Sequence, residues 1–432
     1  VPRRTLKPSL GCRRCHQHYH HHQQQQQQQK FRRNPFHHIQ LALGIVILLL
    51  SRTISAFTIC TTLRLPSARI GCRWFRHHQY YFCYNKVTTG ISTAMKSTTS
   101  TASTTTTSSS SSSSLSFVDI GANLLDERFT QGIYNGKPRH EPDWDAILQR
   151  AQQVGVKAII LTAGTLAESR KALAMVRSLR QQQVEDTITR HAIRFGCTNG
   201  IHPTRCQQEF LDNGSNMSPE QVLQELQNLA VDGQSDGSVV ALGEMGLDYD
   251  RLEFCHQETQ LYYLKEQLQT FLSHSALNEL PLFLHNRNVG KDLLQVLQEY
   301  QQQQQEHPLR GVVHSFDDSL ELAQQFIDLG FYIGINGCSL KMEENLHVVK
   351  ELPLDKILLE TDCPYCEIKN THAGSQYVQT TWEKKMDKKF EWGKMVKGRN
   401  EPCQIVQVAE VIAAVKQLPL EEVAQACYQN SL

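Results

Sequence analysis

The sequence predicts a TIM-type (β/α)₈ barrel over residues 117–432, an α/β fold preceded by a disordered leader and closed by C-terminal helices. Three observations carry this prediction. From Phe117 onward, short apolar runs alternate with longer amphipathic ones. There are eight of the short runs. Nearly every one ends, on its C-terminal side, in a residue with ligand or hydrogen-bonding chemistry, and barrel active sites occupy that face.

The strand candidates, in order, are Phe117–Asn123, Ala158–Gly164, Arg194–His202, Val239–Asp248, Pro281–Arg287, Gly311–Phe316, Phe331–Gly337 and Ile357–Asp362. Continuous apolar runs of this length indicate strands buried on both faces, as in a parallel sheet. Helical periodicity, with apolar residues three or four apart, covers Trp144–Val154, Leu166–Leu179, Pro219–Leu229, Glu258–Leu277, Lys291–Tyr300 and Asp318–Leu329. Ser218 before Pro219 and Glu220 has the chemistry of a helix N-cap with proline in the first turn. Residues Tyr365–Asn400, rich in Lys and Gly and without periodicity, read as a long insertion over the barrel mouth. Two last helical segments, Glu401–Val415 and Leu420–Tyr428, should close the barrel. An open doubly wound sheet shares the alternation. The placement of the polar residues favours the barrel.

The leader, residues 1–116, is a different kind of chain. It holds fifteen Lys and Arg and no acid, so the body from Asp119 carries 29 basic against 43 acidic residues, near −14. Such a body does not bind nucleic acid through bulk charge; a phosphate substrate would need local Arg or Lys and bound cations. Residues 16–29 are rich in His and Gln, and residues 97–116 are almost wholly Ser and Thr. Both segments have too few apolar groups to offset chain entropy. Leu41–Leu50 is an apolar run too short to span a bilayer but of signal-peptide length. The Arg-rich stretch Ser51–Lys96 has transit-peptide composition, and Ser55-Ala56-Phe57 is similar to the cleavage region of bipartite plastid presequences. Two readings stay open. The leader is a targeting presequence, directing the protein to an organelle, or translation starts at Met95 and the protein is cytoplasmic or nuclear. No stable membrane insertion of the body is expected. Thirteen irregularly spaced cysteines suit reduced thiols, and Cys363 and Cys366 lack a second pair at zinc-site spacing.

Four residues carry the chemistry: Glu244, His285, His314 and Asp362, each at or near the end of its own apolar run. A charged or imidazole group is costly to bury there without partners. Singly, each has a structural explanation, as a hydrogen-bonded histidine, a salt-bridge partner or a turn residue. Their recurrence at one end of successive strands favours a shared site. Two imidazoles and two carboxylates suit Mg²⁺, Mn²⁺ or Zn²⁺, and a carboxylate can bridge two cations about 3.5–4 Å apart. In that scheme Glu244 bridges, His285 and His314 hold one ion, and Asp362 holds the other and takes the proton from the attacking water.

The local sequences resemble the TatD family of metal-dependent deoxyribonucleases, within the amidohydrolase-like barrel superfamily. The residues that carry this are Gly200-Ile-His-Pro203, Gly243-Glu-Met-Gly-Leu-Asp248, Leu284-His-Asn-Arg287, Val313-His-Ser-Phe316, Glu360-Thr-Asp-Cys-Pro364 and Arg399-Asn-Glu-Pro402 followed by Val408-Ala-Glu-Val-Ile412. The opening Asp119-Ile-Gly-Ala-Asn-Leu124 and Thr371-His-Ala-Gly374 are most similar to the eukaryotic TatD DNase domain-containing branch. The resemblance implies hydrolysis of DNA phosphodiester bonds, with RNA a further candidate substrate. It implies metal ligation by Glu244, His285, His314 and Asp362, catalytic roles for Glu244 and Asp362, and phosphate contacts from His202 and Arg287. One departure stands out. The family pattern begins Asp-x-His-x-His, and here Gly121 and Asn123 replace both histidines. Glycine offers no side-chain ligand, and Asn123 is a candidate ligand only through its neutral amide oxygen. One ion is then held tightly and a second arrives with substrate, which favours Mg²⁺ over Mn²⁺ or Zn²⁺. The alternatives are an amidohydrolase acting on a small amide or ester, and a catalytically decayed barrel.

Overall fold

The structure is a computed structural model that describes residues 115–185, 193–212, 214, 216–303 and 307–432. The readings made for the leader therefore lie outside the described residues, apart from Leu115 and Ser116.

Eight parallel strands form one sheet in strict chain order: β1 (Phe117–Ala122), β2 (Val156–Leu161), β3 (Arg194–Asn199), β4 (Val239–Asp248), β5 (Leu282–Arg287), β6 (Gly311–His314), β7 (Phe331–Ile335) and β8 (Ile357–Leu359). The ring closes between β1 and the chain just past β8. Ala122 bridges Cys363, the Asp362 amide donates to the Gly121 carbonyl at 2.8 Å, and the Asn123 amide donates to the Cys363 carbonyl at 2.7 Å. The predicted barrel is present.

Both faces of these strands are buried, which explains why their sequences are apolar without alternation. Val118, Ile120, Ala241, Phe283, Val312 and Leu358 pack together as a small inner cluster. The larger core, with Ile159, Phe195, Leu284 and Ile333 among its strand residues, fills the layer beneath the helices. Those helices are α1 (Trp144–Gln153), α2 (Leu166–Glu185), α3 (Pro219–Ser235), α4 (Gln257–Leu272), α5 (Asp292–Gln303), α6 (Leu320–Asp328), α7 (Glu343–Glu351), α8 (Ile405–Lys416) and α9 (Leu420–Asn430). Helix α3 starts where its sequence says it should. Ser218 accepts from the Gln221 amide, and the Gln221 side chain accepts from the Ser218 amide, with Pro219 in the first turn. Helix α7 was not anticipated: only Leu346 and Val349 of its nine residues are buried, too few to reveal a period.

Helix α9 packs on both β1 and β8, across the closing seam, as expected of a C-terminal helix. A buried ionic cluster anchors the chain before α8. Arg399, wholly inaccessible, donates to both Asp143 oxygens at 2.7 and 2.6 Å and to Glu401 at 2.8 Å, while Arg150 of α1 donates to Glu401 at 2.8 Å. Two cations and two anions thus neutralise each other where an unpaired charge would cost several kcal/mol. Between Arg399 and Glu401, Asn400 donates to the Thr361 carbonyl at 2.8 Å and so holds the turn that carries Asp362. The insertion 365–400 is mostly turns, with a short parallel ladder between Lys384–Lys385 and Met395–Val396. Among the described residues, no single helix is long and apolar enough to cross a membrane.

Candidate metal centre

Neighbouring parallel strands place three candidate ligands side by side. The register pairs His285 of β5 with His314 of β6, and Gly246 of β4 with His285, so Glu244 lies two residues down its strand from that level. Beside it, a Cβ on Gly200 would come within 2.7 Å of the Gly243 Cα. That close approach of β3 to β4 brings His202, two residues on, against Glu244.

The Glu244 carboxylate faces three imidazoles. Its Oε1 is 2.8 Å from His314 Nε2, 2.9 Å from His285 Nδ1 and 3.3 Å from His202 Nε2, and the two nearer nitrogens are 3.3 Å apart. Glu244, His285 and His314 are 9%, 5% and 3% exposed. Burial opposes ionisation of Glu244, but His314 and His202 beside it, with a hydrogen bond from His285, hold its carboxyl well below the usual range. Burial likewise opposes a charge on His314, but Glu244 and then Glu360 raise it well above the usual imidazole value. His202 goes the other way, pushed by burial down to about 3 despite Glu244. A buried anion packed against imidazole nitrogens is a donor set that fits a divalent cation. Ligand atoms of His202, Glu244 and His285 all lie within 4.8 Å of one another.

Two carboxylates that sequence reasoning passed over stand behind these rings. Asp248 Oδ2 is 3.2 Å from His285 Nε2. Glu360 Oε2 is 3.5 Å from His314 Nδ1. Both acids are fully buried, and both sit inside motifs already singled out, so a buried acid at a strand end was the available signal. Asp248 is fixed by the Asp250 amide and by Arg251, and its backbone by Gln260. Glu360 Oε1 accepts from the Ser315 amide and from Asn336.

Asp362 lies three residues beyond β8, not at its end as the apolar run suggested, in a left-handed turn with φ of 50°. Its oxygens accept from Asn123 Nδ2 at 2.7 Å and Cys366 Sγ at 3.1 Å. Burial raises its carboxyl to about 6, with His314 opposing and Glu244 and Glu360 adding to the rise. Asn123 is arranged differently from the expected oxygen ligand: its Oδ1 accepts from Thr162 Oγ1 at 2.6 Å, so its amide nitrogen, which cannot ligate, faces Asp362. At Gly121 a Cβ would meet Glu360 Oε2 at 2.9 Å and Phe283 Cζ at 3.2 Å. Glu360 fills the space that a first-strand side chain would enter. Asp119 braces the same turn from below, accepting from the Thr361 amide at 2.9 Å and hydroxyl at 2.6 Å, and burial raises its carboxyl to about 7.

Arg287 points its guanidinium at Asp317, 3.6 Å away, and its Nε is buried without a partner. The insertion lysines contribute less than their number suggests. Lys384 pairs with Glu367, and Lys385 and Lys394 pair with Glu383. Cys366 is not matched with Cys363, which is buried in the core; its sulfur lies 2.8 Å from that of Cys338.

A parallel eight-stranded barrel gathering imidazoles and carboxylates past its strand ends defines a class, the metal-dependent hydrolase barrels. Comparison with known proteins narrows this. The family model for TatD related DNase matches residues 118–432, and the chain belongs to that family. It is 41% identical over 321 residues to the deoxyribonuclease Tat-D of Schizosaccharomyces pombe, covering 74% of this chain and 95% of that protein. It is 35% identical to the deoxyribonuclease Tat-D of Saccharomyces cerevisiae, covering 71% of this chain and 88% of that protein. Among solved structures, a TatD family hydrolase from Entamoeba histolytica superposes with a TM-score of 0.63 at 36% identity, over 74% of this chain and 97% of that one.

Proposed function

We propose that the chain is a nuclease that hydrolyses phosphodiester bonds of DNA, dependent on divalent metal, with its activity in residues 117–432 and the first 116 residues dispensable for it. The observation that carries this reading is Glu244 Oε1, a buried carboxylate oxygen with imidazole nitrogens at 2.8, 2.9 and 3.3 Å. The names borne by its yeast relatives support DNA as the substrate.

Glu244, His285 and His314 are the residues to hold the cation, with Asp362 at the edge of the group. Mg²⁺ is favoured over Mn²⁺ and Zn²⁺, because the first strand offers no imidazole for a second ion and Asn123 turns its nitrogen inward. A bound divalent cation supplies Lewis acidity at phosphorus and lowers the pKa of an attacking water. Asp362, at the edge of the group, is the carboxylate placed to accept that water's proton. Arg287 and His202 bind the non-bridging phosphate oxygens, Arg287 as a cationic contact beside the cluster. An amidohydrolase of the carboxylated-lysine type is disfavoured because a glutamate, Glu244, stands between the imidazoles.

The test uses the full chain stripped of metal by chelator, a 5′-labelled single-stranded DNA oligonucleotide, and separate addition of Mg²⁺, Mn²⁺ or Zn²⁺. Cleavage restored by metal and absent in Glu244→Gln supports the reading. A folded protein that cleaves nothing with any of the three ions overturns it.

A further inference from the structure

Two cysteines meet at the barrel mouth and take no part in the reaction proposed above. Cys338 lies three residues beyond β7, Cys366 four beyond Asp362, and their sulfurs are 2.8 Å apart. We propose that the pair is an oxidative modification site: a hydroperoxide closes it to a disulfide, which takes the Cys366 thiol off Asp362 and slows the enzyme until a thiol reductant reopens it. The bond stands independently of the nuclease reading, on which only its effect on cleavage rests.

Placement singles these two out. Among the described residues the other six cysteines are buried, whereas Cys338 and Cys366 are both partly exposed, so a small oxidant reaches this pair first. The backbone on either side is held. The Cys338 amide donates to Asn336 Oδ1 at 2.8 Å, and Asn336 Nδ2 donates to Ser315 Oγ at 2.9 Å and to Glu360 Oε1 at 3.1 Å. Cys366 has a φ of 52°, and its carbonyl lies so near Gly337 that a Cβ there would come within 2.0 Å of the oxygen. A disulfide spans about 2.05 Å, so the sulfurs need approach by only about 0.8 Å. Cys363, nearer to Cys366 in sequence, is wholly buried and out of an oxidant's reach.

Oxidation proceeds in two steps. One sulfur attacks the terminal oxygen of the hydroperoxide and breaks its O–O bond; that sulfur becomes a sulfenic acid, and the other oxygen leaves as water or an alcohol with the thiol proton. The second sulfur then attacks the first, and the hydroxyl leaves as water with the second thiol proton. The two thiols lose two electrons in all, and the hydroperoxide gains them. Because the thiols stand side by side, the second step is intramolecular. The consequence falls on Asp362, whose carboxylate accepts from Asn123 Nδ2 at 2.7 Å through one oxygen and from Cys366 Sγ at 3.1 Å through the other. A disulfide sulfur has no proton to give. Asp362 then keeps a side-chain donor on one oxygen only, and its plane is no longer fixed from both sides.

In the experiment the reduced full chain, freed of reductant, is treated with hydrogen peroxide, alkylated and digested with trypsin without reductant, and the fragments are identified by mass spectrometry. In parallel, kcat on the labelled oligonucleotide is measured before peroxide, after it, and after dithiothreitol. The expected product joins residues 311–341 to residues 357–369, two hydrogens lighter than their sum, with the bond placed on Cys338 and Cys366 by fragmentation. Because a slightly misplaced catalytic group is costly, kcat should fall about tenfold on oxidation and return with dithiothreitol. Cys338→Ser, which keeps the Cys366 thiol, should give no joined fragment and the same kcat before and after peroxide. Should that variant fail to fold, the wild-type fragments and the return of kcat under dithiothreitol still decide. Both peptides recovered separately, sulfinic acid at either cysteine with no bond, or a bond to Cys363 overturns the site. A joined chain that cleaves as fast as the reduced one overturns the effect on Asp362. A reduced chain that cleaves nothing with any divalent ion overturns the nuclease reading, and the fragments then judge the disulfide on their own.

Discussion

Replacing Asp119 with asparagine should raise stability at neutral and alkaline pH while changing little in acid. The carboxyl is fully buried and its value is raised from 3.8 to about 7, chiefly by burial, against hydrogen bonds from Thr361 that pull the other way. Below the unfolded value both states hold the proton, and the native contribution is fully present. As pH rises toward 7 the unfolded chain ionises while the folded one does not, so stability falls through that window and levels off above it. A shift of roughly three units corresponds to about 4 kcal/mol. For a folded body of this size, with an unfolding entropy of about 2.1 cal/mol/K per residue, that is about 6 °C in Tm. Asparagine keeps an acceptor for the Thr361 amide and can donate to its hydroxyl, so the comparison isolates the charge. Differential scanning calorimetry of both proteins, with chelator present, in steps from pH 4 to 8.5, gives the difference in Tm directly. It should grow by about 6 °C across the window, in favour of Asp119→Asn. A difference constant with pH, or one that shrinks as pH rises, would refute the reasoning.

Three further outcomes follow from the site and its frame. Asp362→Asn should lower kcat by about 10²–10⁴ while leaving Mn²⁺ binding detectable by electron paramagnetic resonance, since the proton acceptor is lost before the Glu244 cluster is. Arg287→Ala should weaken binding of single-stranded DNA and reduce the slope of log affinity against log salt by about 1, read by fluorescence anisotropy from 50 to 300 mM salt. Arg399→Met should destabilise the fold by about 3 kcal/mol in thermal melts, because Asp143 and Glu401 would keep only Arg150 as a partner.

The barrel was legible because parallel strands buried on both faces leave long apolar runs. Glu244, His285 and His314 were legible because each interrupts such a run with a group that is costly to bury alone. What was hidden is which groups touch. Asp248 lies four residues after Glu244 and Glu360 two before Asp362, yet their contacts to His285 and His314 depend on the register of four strands. The direction of the Asn123 amide depends on Thr162, thirty-nine residues away. Arg399 and Glu401 belong in sequence to the C-terminal family motif and prove to be an anchor, because their partners Asp143, just ahead of α1, and Arg150, on it, meet them through packing that no local pattern encodes. Three lysines of the insertion show the same limit: composition does not reveal that Lys384, Lys385 and Lys394 have glutamates as neighbours in space.

The base of the barrel has a practical side. Val118 and Ile120, near the start of β1, and Asn430, Ser431 and Leu432, at the other end of the chain, line one cavity of about 710 Å³ at the amino ends of the strands. Glu244 and its imidazoles lie toward the opposite, carboxyl ends. A tether attached through Leu432, which is 71% exposed, would therefore fix the molecule to a bead or sensor surface by its floor. Every immobilised copy would present its mouth to the flowing solution in the same orientation.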